Sequence, residues 1–443
     1  MAPDDPDVGT GDPGDPGVTA NSWVPGPTML AAAAAAVGLC TLAVITARAD
    51  LLVLALPLIV VTAWAFATRP TGDPAVRVRL GNRTPTEQES VAWTATLHDA
   101  AGAEQWHAVV EPTPGVVWDG GRPAQASMPK SAADRIDLTF ALRRWGPAQT
   151  GSVEIVAASA WAGYVWGPVH LPGSDLHALP RVDRFSGRAP VPHPIGLVGP
   201  NRSRRTGDGT EFADIRAFRA GDKLRTIHWP VTTRTGQLHV RTSYAEQDAE
   251  IVLVLDGSID VGGHGDTDSS LDLGLRACAS LAHYFLGRGD RVGLDVIGTG
   301  SLRHVPICLG ARQQHRILDV LSRVRVGRSS DAHADQVRLR VSPGATVFLV
   351  TTLLTELGTA VAADLSRRGL PVVVIDCLPM EPDHLGEDLV DRMAWRIRAL
   401  ERQMDIDGLS LRGVPITPWR GPGSLDAALQ VLGRRPPARE RRR

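Results

Sequence analysis

The sequence of 443 residues predicts a multi-domain protein with an N-terminal transmembrane helical hairpin, an antiparallel β-sandwich and a doubly wound α/β domain. Three observations carry this prediction. Two long charge-free runs lie near the N-terminus, residues 73–172 alternate between apolar and polar positions, and after residue 248 apolar strands alternate with helical patterns. These patterns are typical of membrane helices, half-buried strands and βαβ units, respectively.

The membrane prediction rests on residues 27–47 and 51–68, which contain no charged side chain. Both runs are long enough for a hydrocarbon core of about 30 Å at about 1.5 Å per helical residue. Arginines at positions 69, 77, 79 and 83 follow the second run, so the positive-inside bias places the bulk of the chain in the cytoplasm. We therefore expect a protein of the plasma membrane with two spanning helices; two buried helices of a soluble protein are the alternative.

The overall charge excludes a protein that coats nucleic acid. The chain has 47 Lys and Arg against 48 Asp and Glu, a formal net charge of −1, so no excess of cations is available for phosphates. The two ends of the chain, however, carry net charges of opposite sign. Residues 1–26 contain five Asp and no base, and residues 434–443 contain six Arg and one Glu. We expect a disordered acidic tail at one end and a basic tail, solvated or touching anionic lipid, at the other.

Residues 73–172 are predicted to form the β-sandwich. Val76, Val78 and Leu80 alternate with arginines, and the period of two recurs near residues 91–97 and 136–142, with turn-rich stretches between. The six tryptophans of this region suit core and sheet packing, with a sugar-binding or peptide-binding cluster as the alternative. Residues 173–206, rich in Pro, Gly and Arg, are predicted to be a linker.

Residues 207–247, called the signature segment below, interleave both signs of charge with apolar side chains. The spacing of Phe212, Ile215 and Phe218 predicts a short helical turn, and Thr235-Gly236 predicts a hairpin between two short strands. The charges form either a structural network of ion pairs or a docking surface, because ion pairs alone do not reveal a partner. The candidate partner-binding residues are Glu211, Phe212, Arg216, Gly221, Asp222, Arg225, His228 and Trp229.

This segment resembles the hallmark of the domain of unknown function 58 family, a set of membrane-anchored bacterial proteins. Gly209, Phe218 and Ile227, together with the candidate residues, match that hallmark in order, and His228 replaces the usual Asp before Trp229. The run Arg143-Arg144-Trp145-Gly146 also looks like the turn that precedes the family's linker. The resemblance implies a protein that works beside an AAA+ ATPase of the MoxR type.

Residues 248–433 are predicted to form the doubly wound α/β domain, with a parallel sheet. Strands are predicted at residues 250–255, 291–297, 345–351, 371–376 and 413–417, and helices at 271–286, 311–323, 356–368, 387–403 and 425–432. Ligands of such sheets bind at the carboxyl ends of the strands, which is where Asp256 lies.

A candidate metal site lies at the same carboxyl edge of the predicted sheet. Asp256, Ser258 and Asp260 resemble the Asp-x-Ser-x-Ser loop of von Willebrand factor A domains, which holds Mg²⁺ through oxygen ligands, with Asp260 in place of the second Ser. Ser330 is the nearest analogue of the ligand that the resemblance implies in a second loop. Thr351-Thr352 stand where the third-loop Asp is expected, so the set is incomplete. The alternatives are a bound Mg²⁺ ion and a structural Asp256 without metal.

We therefore expect a cytoplasm-facing, membrane-anchored adaptor for protein–protein interaction in protein maturation or cell-envelope assembly. One alternative is a sensor in which Arg216, Arg219 and Arg225 bind an anionic envelope precursor or a lipid headgroup. Another is a metal-dependent hydrolase, although the phosphate-binding pattern G-x-x-x-x-G-K-[ST] is absent from the sequence and Ser258 has no nucleophile-elbow context. We assign no catalytic residue.

Overall fold

The computed structural model describes residues 22–72, 74–120, 125–129, 135–184, 206–244, 250–262, 268–299, 302–327, 339–379, 389–421, 423, 424 and 426. For residues 125–129, 206–211, 213, 243 and 244 the description covers the backbone alone. The chain divides into two compact units, Met1–Ala178 and Leu179–Arg443. The predicted acidic tail up to residue 21, the basic tail and the helix at 425–432 lie outside the described residues, apart from Asp426.

Two apolar helices begin the described chain, as the charge-free runs predict. Helix α1 (Pro27–Thr46) and helix α2 (Asp50–Ala67) are each long and apolar enough to cross a membrane, and 11% of each span is buried. Their buried residues are all alanines, at positions 36, 43, 55 and 65. Small side chains let helix backbones approach closely, which is compatible with the pairing of α1 and α2.

The rest of the first unit consists of antiparallel sheets. Its strands are β1 (Val24–Pro25), β2 (Ala75–Leu80), β3 (Ser90–His98), β4 (Ala103–Val110), β5 (Val116–Trp118), β6 (Gln125–Pro129), β7 (Arg135–Leu142), β8 (Gly146–Gln149), β9 (Val153–Ser159), β10 (Tyr164–Leu171) and β11 (Asp175–Ala178). One sheet has the order β1-β10-β9-β4-β6, another has β2-β3-β7-β5, and β8 pairs with β11. One hydrophobic core contains inward residues of both larger sheets, including Trp93, Trp106, Phe140, Ile155 and Trp166. The alternation in the sequence therefore marks the buried face of each strand.

Two predicted boundaries of this unit need correction. Residues 22–26 are not part of a disordered tail, because Trp23 is buried and donates from Nε1 to the Gly72 carbonyl at 3.1 Å, and β1 pairs with β10. The predicted linker begins too early, because β11 pairs with β8 as far as Ala178. Both segments are too short to show a period, so the sequence pattern does not reveal them.

The turn at residues 160–163 joins the β-sheets to the ends of both helices. The Gly26 amide donates to the Gly163 carbonyl at 2.7 Å, and Thr28 Oγ1 donates to the Ala162 carbonyl at 3.1 Å. A Cβ on Gly163 would lie 2.8 Å from the Ala65 Cβ, so glycine permits the close approach to α2. Trp161, exposed in this turn, has a left-handed backbone with φ of 56°. This junction fixes the turn against the first residues of α1 and the last turn of α2.

The second unit contains a six-stranded sheet with helices. Its elements are β14 (Glu250–Asp256), α4 (Ser270–Gly287), β15 (Arg291–Ile297), β16 (Arg303–Cys308), α5 (Ala311–Ser322), β17 (Thr346–Thr351), α6 (Glu356–Arg367), β18 (Val372–Asp376), α7 (Leu389–Leu411) and β19 (Ile416–Pro418). The strand order is β16-β15-β14-β17-β18-β19. All neighbours are parallel except β15 and β16, so the sheet is mixed and the prediction of a wholly parallel sheet is wrong at this edge. The short β15–β16 connection permits the antiparallel pairing.

The signature segment departs from its predicted local structure. Residues 206–217 form strand β12 (Thr206–Ala217), which pairs antiparallel with β13 (His239–Tyr244), instead of a helical turn. The register of this pair shifts between Phe212 and Asp214. Such irregularities displace apolar residues from a strict period of two, so their spacing imitates a helix. The predicted strand before Thr235 is helix α3 (Trp229–Thr235), closed by Gly236 with φ of 70°.

The central strand of the second unit offers a test of this core. Leu253 is fully buried on β14, so Leu253→Ala should lower the free energy of unfolding by about 2–5 kcal/mol through lost burial and the cavity left behind. Urea unfolding of the full chain in detergent, followed by circular dichroism, measures this. The exposed Leu302→Ala is the matched control and should change it by less than about 0.5 kcal/mol. Equal effects of the two substitutions would contradict the assigned core.

Candidate functional site

Asp256 is the centre of a buried hydrogen-bond cluster at the carboxyl edge of the sheet. Its Oδ1 accepts from the Ser258 amide at 3.0 Å and from Ser258 Oγ at 2.6 Å, and its Oδ2 accepts from Thr351 Oγ1 at 2.8 Å. Ser258 Oγ also lies 3.1 Å from Thr355 Oγ1. The three residues Asp256, Ser258 and Thr351 are all buried. Both carboxylate oxygens therefore have donors, which is what a buried charge requires.

Gly358, in the first turn of α6, explains why the helix can approach this cluster. A Cβ at this position would lie 2.4 Å from Thr351 Oγ1 and 3.3 Å from Asp256 Oδ2. Glycine is therefore the residue that lets the α6 backbone lie over the carboxylate.

Asp260 does not share a described contact with Asp256. Its Oδ1 accepts from the Leu271 amide at 3.0 Å and from Ser270 Oγ at 3.2 Å, so it caps the first turn of α4. Ser269 and Asp272 form a capping box at the same helix end. Asp260 thus has a structural contact that the loop resemblance did not indicate.

The predicted Mg²⁺ site stays a prediction. Among the residues that the structure describes, no group of three His, Cys, Asp or Glu side chains could hold a metal ion, and Ser330 lies outside them. The arrangement at Asp256 fits a Mg²⁺ ion poorly, because Ser258 and Thr351 direct their hydroxyl donors at the carboxylate. Mg²⁺ prefers oxygen ligands in near-octahedral geometry, so the ion would have to displace these contacts.

A second buried carboxylate at the same edge was missed by sequence reasoning. Asp376 ends β18, and its Oδ1 lies 2.6 Å from Arg402 Nη2, while its Oδ2 lies 3.1 Å from Arg420 Nη2. The Leu378 amide also donates to Oδ1 at 3.1 Å. The available signal was an apolar strand that ends in Asp, the same pattern that identified Asp256.

Helix α7 is attached to this edge through two arginines. Arg398 Nε donates to the Leu354 carbonyl at 2.8 Å, and Arg402 Nε donates to the Thr352 carbonyl at 2.8 Å. Both carbonyls belong to the loop between β17 and α6. Because Arg402 also pairs with Asp376, one side chain connects α7 to two neighbouring strand ends.

The signature segment is braced by an ion pair between Arg216 and Asp222. Arg216 Nη1 and Nη2 lie 2.8 Å and 2.6 Å from the two carboxylate oxygens, a bidentate geometry. The Arg219 amide adds a hydrogen bond to Asp222 Oδ2 at 2.7 Å. The Arg216 guanidinium, followed by the Arg219 amide, holds the pKa of Asp222 below its usual value. Gly221, with φ of 105°, supplies the left-handed residue that this tight turn needs.

Large apolar side chains of the same segment face solvent. Phe212, Leu224 and Trp229 have exposed fractions of 48%, 72% and 62%, respectively. The Arg241 guanidinium lies 5.5 Å from the centre of the Phe212 ring, within range of a cation–π interaction. Arg225 is exposed in the turn at residues 224–226. Glu211 lies on β12, and its side chain is outside the described residues.

His228 connects the exposed turn to the sheet. Its amide donates to the His239 carbonyl at 2.8 Å. The ring is half-buried, and its buried Nδ1 has no hydrogen-bond partner among the described residues. Trp229, the next residue, begins α3. The structure thus brings Arg216 and Asp222 into direct contact and leaves Phe212 and Trp229 exposed.

Asp295 and His304 form a cross-strand pair that the sequence did not suggest. Asp295 is buried on β15, and its Oδ1 lies 2.6 Å from Nδ1 of His304 on β16. Burial raises the pKa of Asp295, and the hydrogen bond with His304 opposes that rise.

Comparisons with known proteins give a family and little beyond it. Residues 214–397 match the sequence model described as "Protein of unknown function DUF58". Uncharacterized proteins of Mycobacterium bovis and Mycobacterium tuberculosis are 30% identical over 116 residues, which cover 26% of this chain. The chain spans 37% of the length of these curated relatives.

Among solved structures, a conjugative transposon lipoprotein from Bacteroides eggerthii aligns with 23% of this chain and 95% of its own. Its sequence identity is 9% and its TM-score is 0.16, so it says nothing about the fold here.

The buried cluster at Asp256 predicts a cost for removing one donor. Thr351→Val keeps the shape of the side chain but leaves Asp256 Oδ2 without its hydroxyl, so the free energy of unfolding should fall by about 1–3 kcal/mol. Thr359→Val is the matched control, because the described bonds of the Thr359 hydroxyl go to local backbone carbonyls, those of Thr355 and Glu356. Urea unfolding measures both variants; a cost no larger for Thr351→Val than for the control would contradict the cluster.

The raised pKa of Asp295 predicts a pH dependence with a definite sign. The folded protein binds this proton more tightly than the unfolded chain, whose Asp titrates near about 3.9. The stabilising contribution is therefore complete below that value and is lost as pH rises through the folded pKa. Asp295→Asn removes this pH dependence of the free energy of unfolding and keeps an acceptor for His304.

The measurement is urea unfolding of wild type and Asp295→Asn at several values between pH 4 and pH 7. The variant should gain stability relative to wild type as pH rises. A stability difference that is constant over this range, or that changes in the opposite direction, would refute the assignment.

Proposed function

Residues 214–397 are a domain of the DUF58 family, and from this premise we propose that the protein is a membrane-anchored adaptor that docks a partner protein on its signature segment. The observation that carries the proposal is the exposure of Trp229, Leu224 and Phe212 on a segment braced by the Arg216–Asp222 ion pair. Aromatic side chains near arginines are the residues that most often dominate binding energy at interfaces.

The anchor of this adaptor is the α1–α2 helix pair. Both helices are apolar and long enough to span a bilayer, and most of their surface is exposed. With arginines following α2, the positive-inside bias puts both units in the cytoplasm, at the plasma membrane. The adaptor would then present its signature segment to cytoplasmic partners.

The partner we propose is an AAA+ ATPase of the MoxR type. This part of the proposal comes from the family resemblance and not from any contact in the structure. The exposed apolar side chains, with Arg219, Arg225 and Arg241 in the same segment, would suit a partner surface that combines apolar and acidic residues.

The proposal extends to the folds of both units. The two antiparallel sheets around one core support a β-sandwich. The strand order of the second unit, with one antiparallel edge strand and Asp256 at the carboxyl edge, supports a von Willebrand factor A-like domain. In such a domain the crest at Asp256 and Asp376 is a second place at which a partner would dock.

The two alternatives have less support. An anion sensor would have to rely on the exposed Arg219 and Arg225, because the guanidinium of Arg216 is engaged by Asp222 in a bidentate pair. A hydrolase would need a nucleophile near a base, whereas Ser258 is buried and donates to the Asp256 carboxylate. Protein docking is therefore the function that the exposed side chains favour.

Trp229→Ala tests this proposal directly. The full chain in detergent micelles is immobilised, and binding of a purified MoxR-type ATPase is measured by biolayer interferometry in the presence of ATP. Truncation of a central aromatic side chain should raise Kd at least about tenfold. Leu302→Ala, also an exposed apolar residue of this unit, is the control and should leave Kd unchanged.

Two results would overturn the proposal. Wild type that does not bind the ATPase at micromolar concentration would remove the named partner. Equal Kd values for Trp229→Ala and wild type would remove the signature segment from the docking surface.

A further inference from the structure

Helix α7 carries an apolar stripe that faces solvent. The stripe consists of Val390, Met393, Ile397, Leu400 and Met404, whose exposed fractions lie between 57% and 72%. A helix that shows such a stripe to water is expected to bury it against another surface.

The opposite face of α7 holds the helix in a fixed rotation. Leu409 is buried in the core of the second unit, and Arg398 and Arg402 donate to carbonyls of the neighbouring loop. These contacts prevent the helix from turning its apolar stripe inward. From Arg398 onward the fold therefore keeps Leu400 and Met404 on the surface, and the preceding residues of the stripe continue the same face of the helix.

The spacing of the stripe is that of a coiled coil. Steps of three, four, three and four residues lead from Val390 through Met393, Ile397 and Leu400 to Met404. This is the alternation of a and d positions in a heptad, which lets two helices interlock along a narrow seam. An apolar face that packs on a sheet or on a curved groove is wider than this.

The charges beside the seam identify the occupant. With Val390, Ile397 and Met404 at a positions, Arg396 occupies a g position and Glu401 the following e position. In a parallel pair of identical helices, each g position faces the next e position of the partner. Arg396 of one copy would then face Glu401 of the other, twice in a symmetric dimer. Glu401 contacts Arg398 of its own chain through Oε2, and its side chain is 55% exposed.

We propose that a second copy of this chain covers the stripe, so that two α7 helices form a short parallel coiled coil. An antiparallel pair lacks this complementarity, because g positions would then face g positions, and Arg396 would meet Gln403. Asp407 stands at the next d position and ends the apolar seam. The seam thus spans about two heptads, which suits a weak dimer formed between copies concentrated on one membrane.

Charge reversal tests the identity of the partner. Arg396→Glu and Glu401→Arg each place like charges across the seam, so either single substitution should raise the dimer dissociation constant at least about fivefold. The double variant restores opposite charges and should return the constant to within about twofold of wild type. Sedimentation velocity of the full chain in detergent micelles measures all four proteins. Failure of the double variant to recover would overturn the proposal, because only self-association predicts recovery within one chain.

Two seam variants provide independent evidence. Leu400→Asp should abolish the dimer, and circular dichroism should show unchanged secondary structure because Leu400 is exposed. Asp407→Leu extends the seam and should lower the dissociation constant at least about threefold. The control is Leu302→Asp, because Leu302 is exposed on the same unit. This substitution should leave the dimer dissociation constant unchanged. A wild type that stays monomeric up to about 50 μM, or a dimer that tolerates Leu400→Asp, would show that the stripe serves another occupant.

Discussion

The buried carboxylate of Asp376 is the interaction on which much of the second unit depends. A charge at 6% exposure is stable only when it is paired and hydrogen-bonded, and Arg402 and Arg420 provide that pairing from a helix and from the chain after β19. Removal of one partner from a buried ion pair typically costs about 3–5 kcal/mol. This requirement positions α7 with its basic residues inward, and it thereby determines which face of the helix remains on the surface.

The Arg216–Asp222 ion pair differs from the buried Asp376 carboxylate in its exposure to solvent. It lies at the surface, where water and salt weaken ion pairs and each adds little to stability. Its bidentate geometry instead defines the conformation of the turn through Gly221, in the same segment as exposed apolar side chains. A pair that orders a turn without much stabilising it is compatible with a surface whose role is recognition.

Prediction from sequence succeeded where a pattern is long and local. The continuous apolar run at β14, the alternation in β3 and the charge-free runs of α1 and α2 each reflect one environment over many residues. Strand β12 was misread because its register shifts break the period of two. Ser258 was predicted beside Asp256, but the third donor was not predictable. Thr351 is 95 positions away, and the parallel pairing of β14 with β17 places its hydroxyl beside the carboxylate. Asp376 could have been predicted, since it ends an apolar strand as Asp256 does. Its two arginines could not, because they lie in segments that no local sequence pattern connects to it.

The turn at residues 160–163 has a mechanical consequence. Because the Gly26 amide donates a hydrogen bond to the Gly163 carbonyl and Gly163 lies against Ala65 of α2, this turn contacts both helices of the pair. A change in helix tilt, such as one imposed by a thinner bilayer, would be transmitted to the sheets as a rotation.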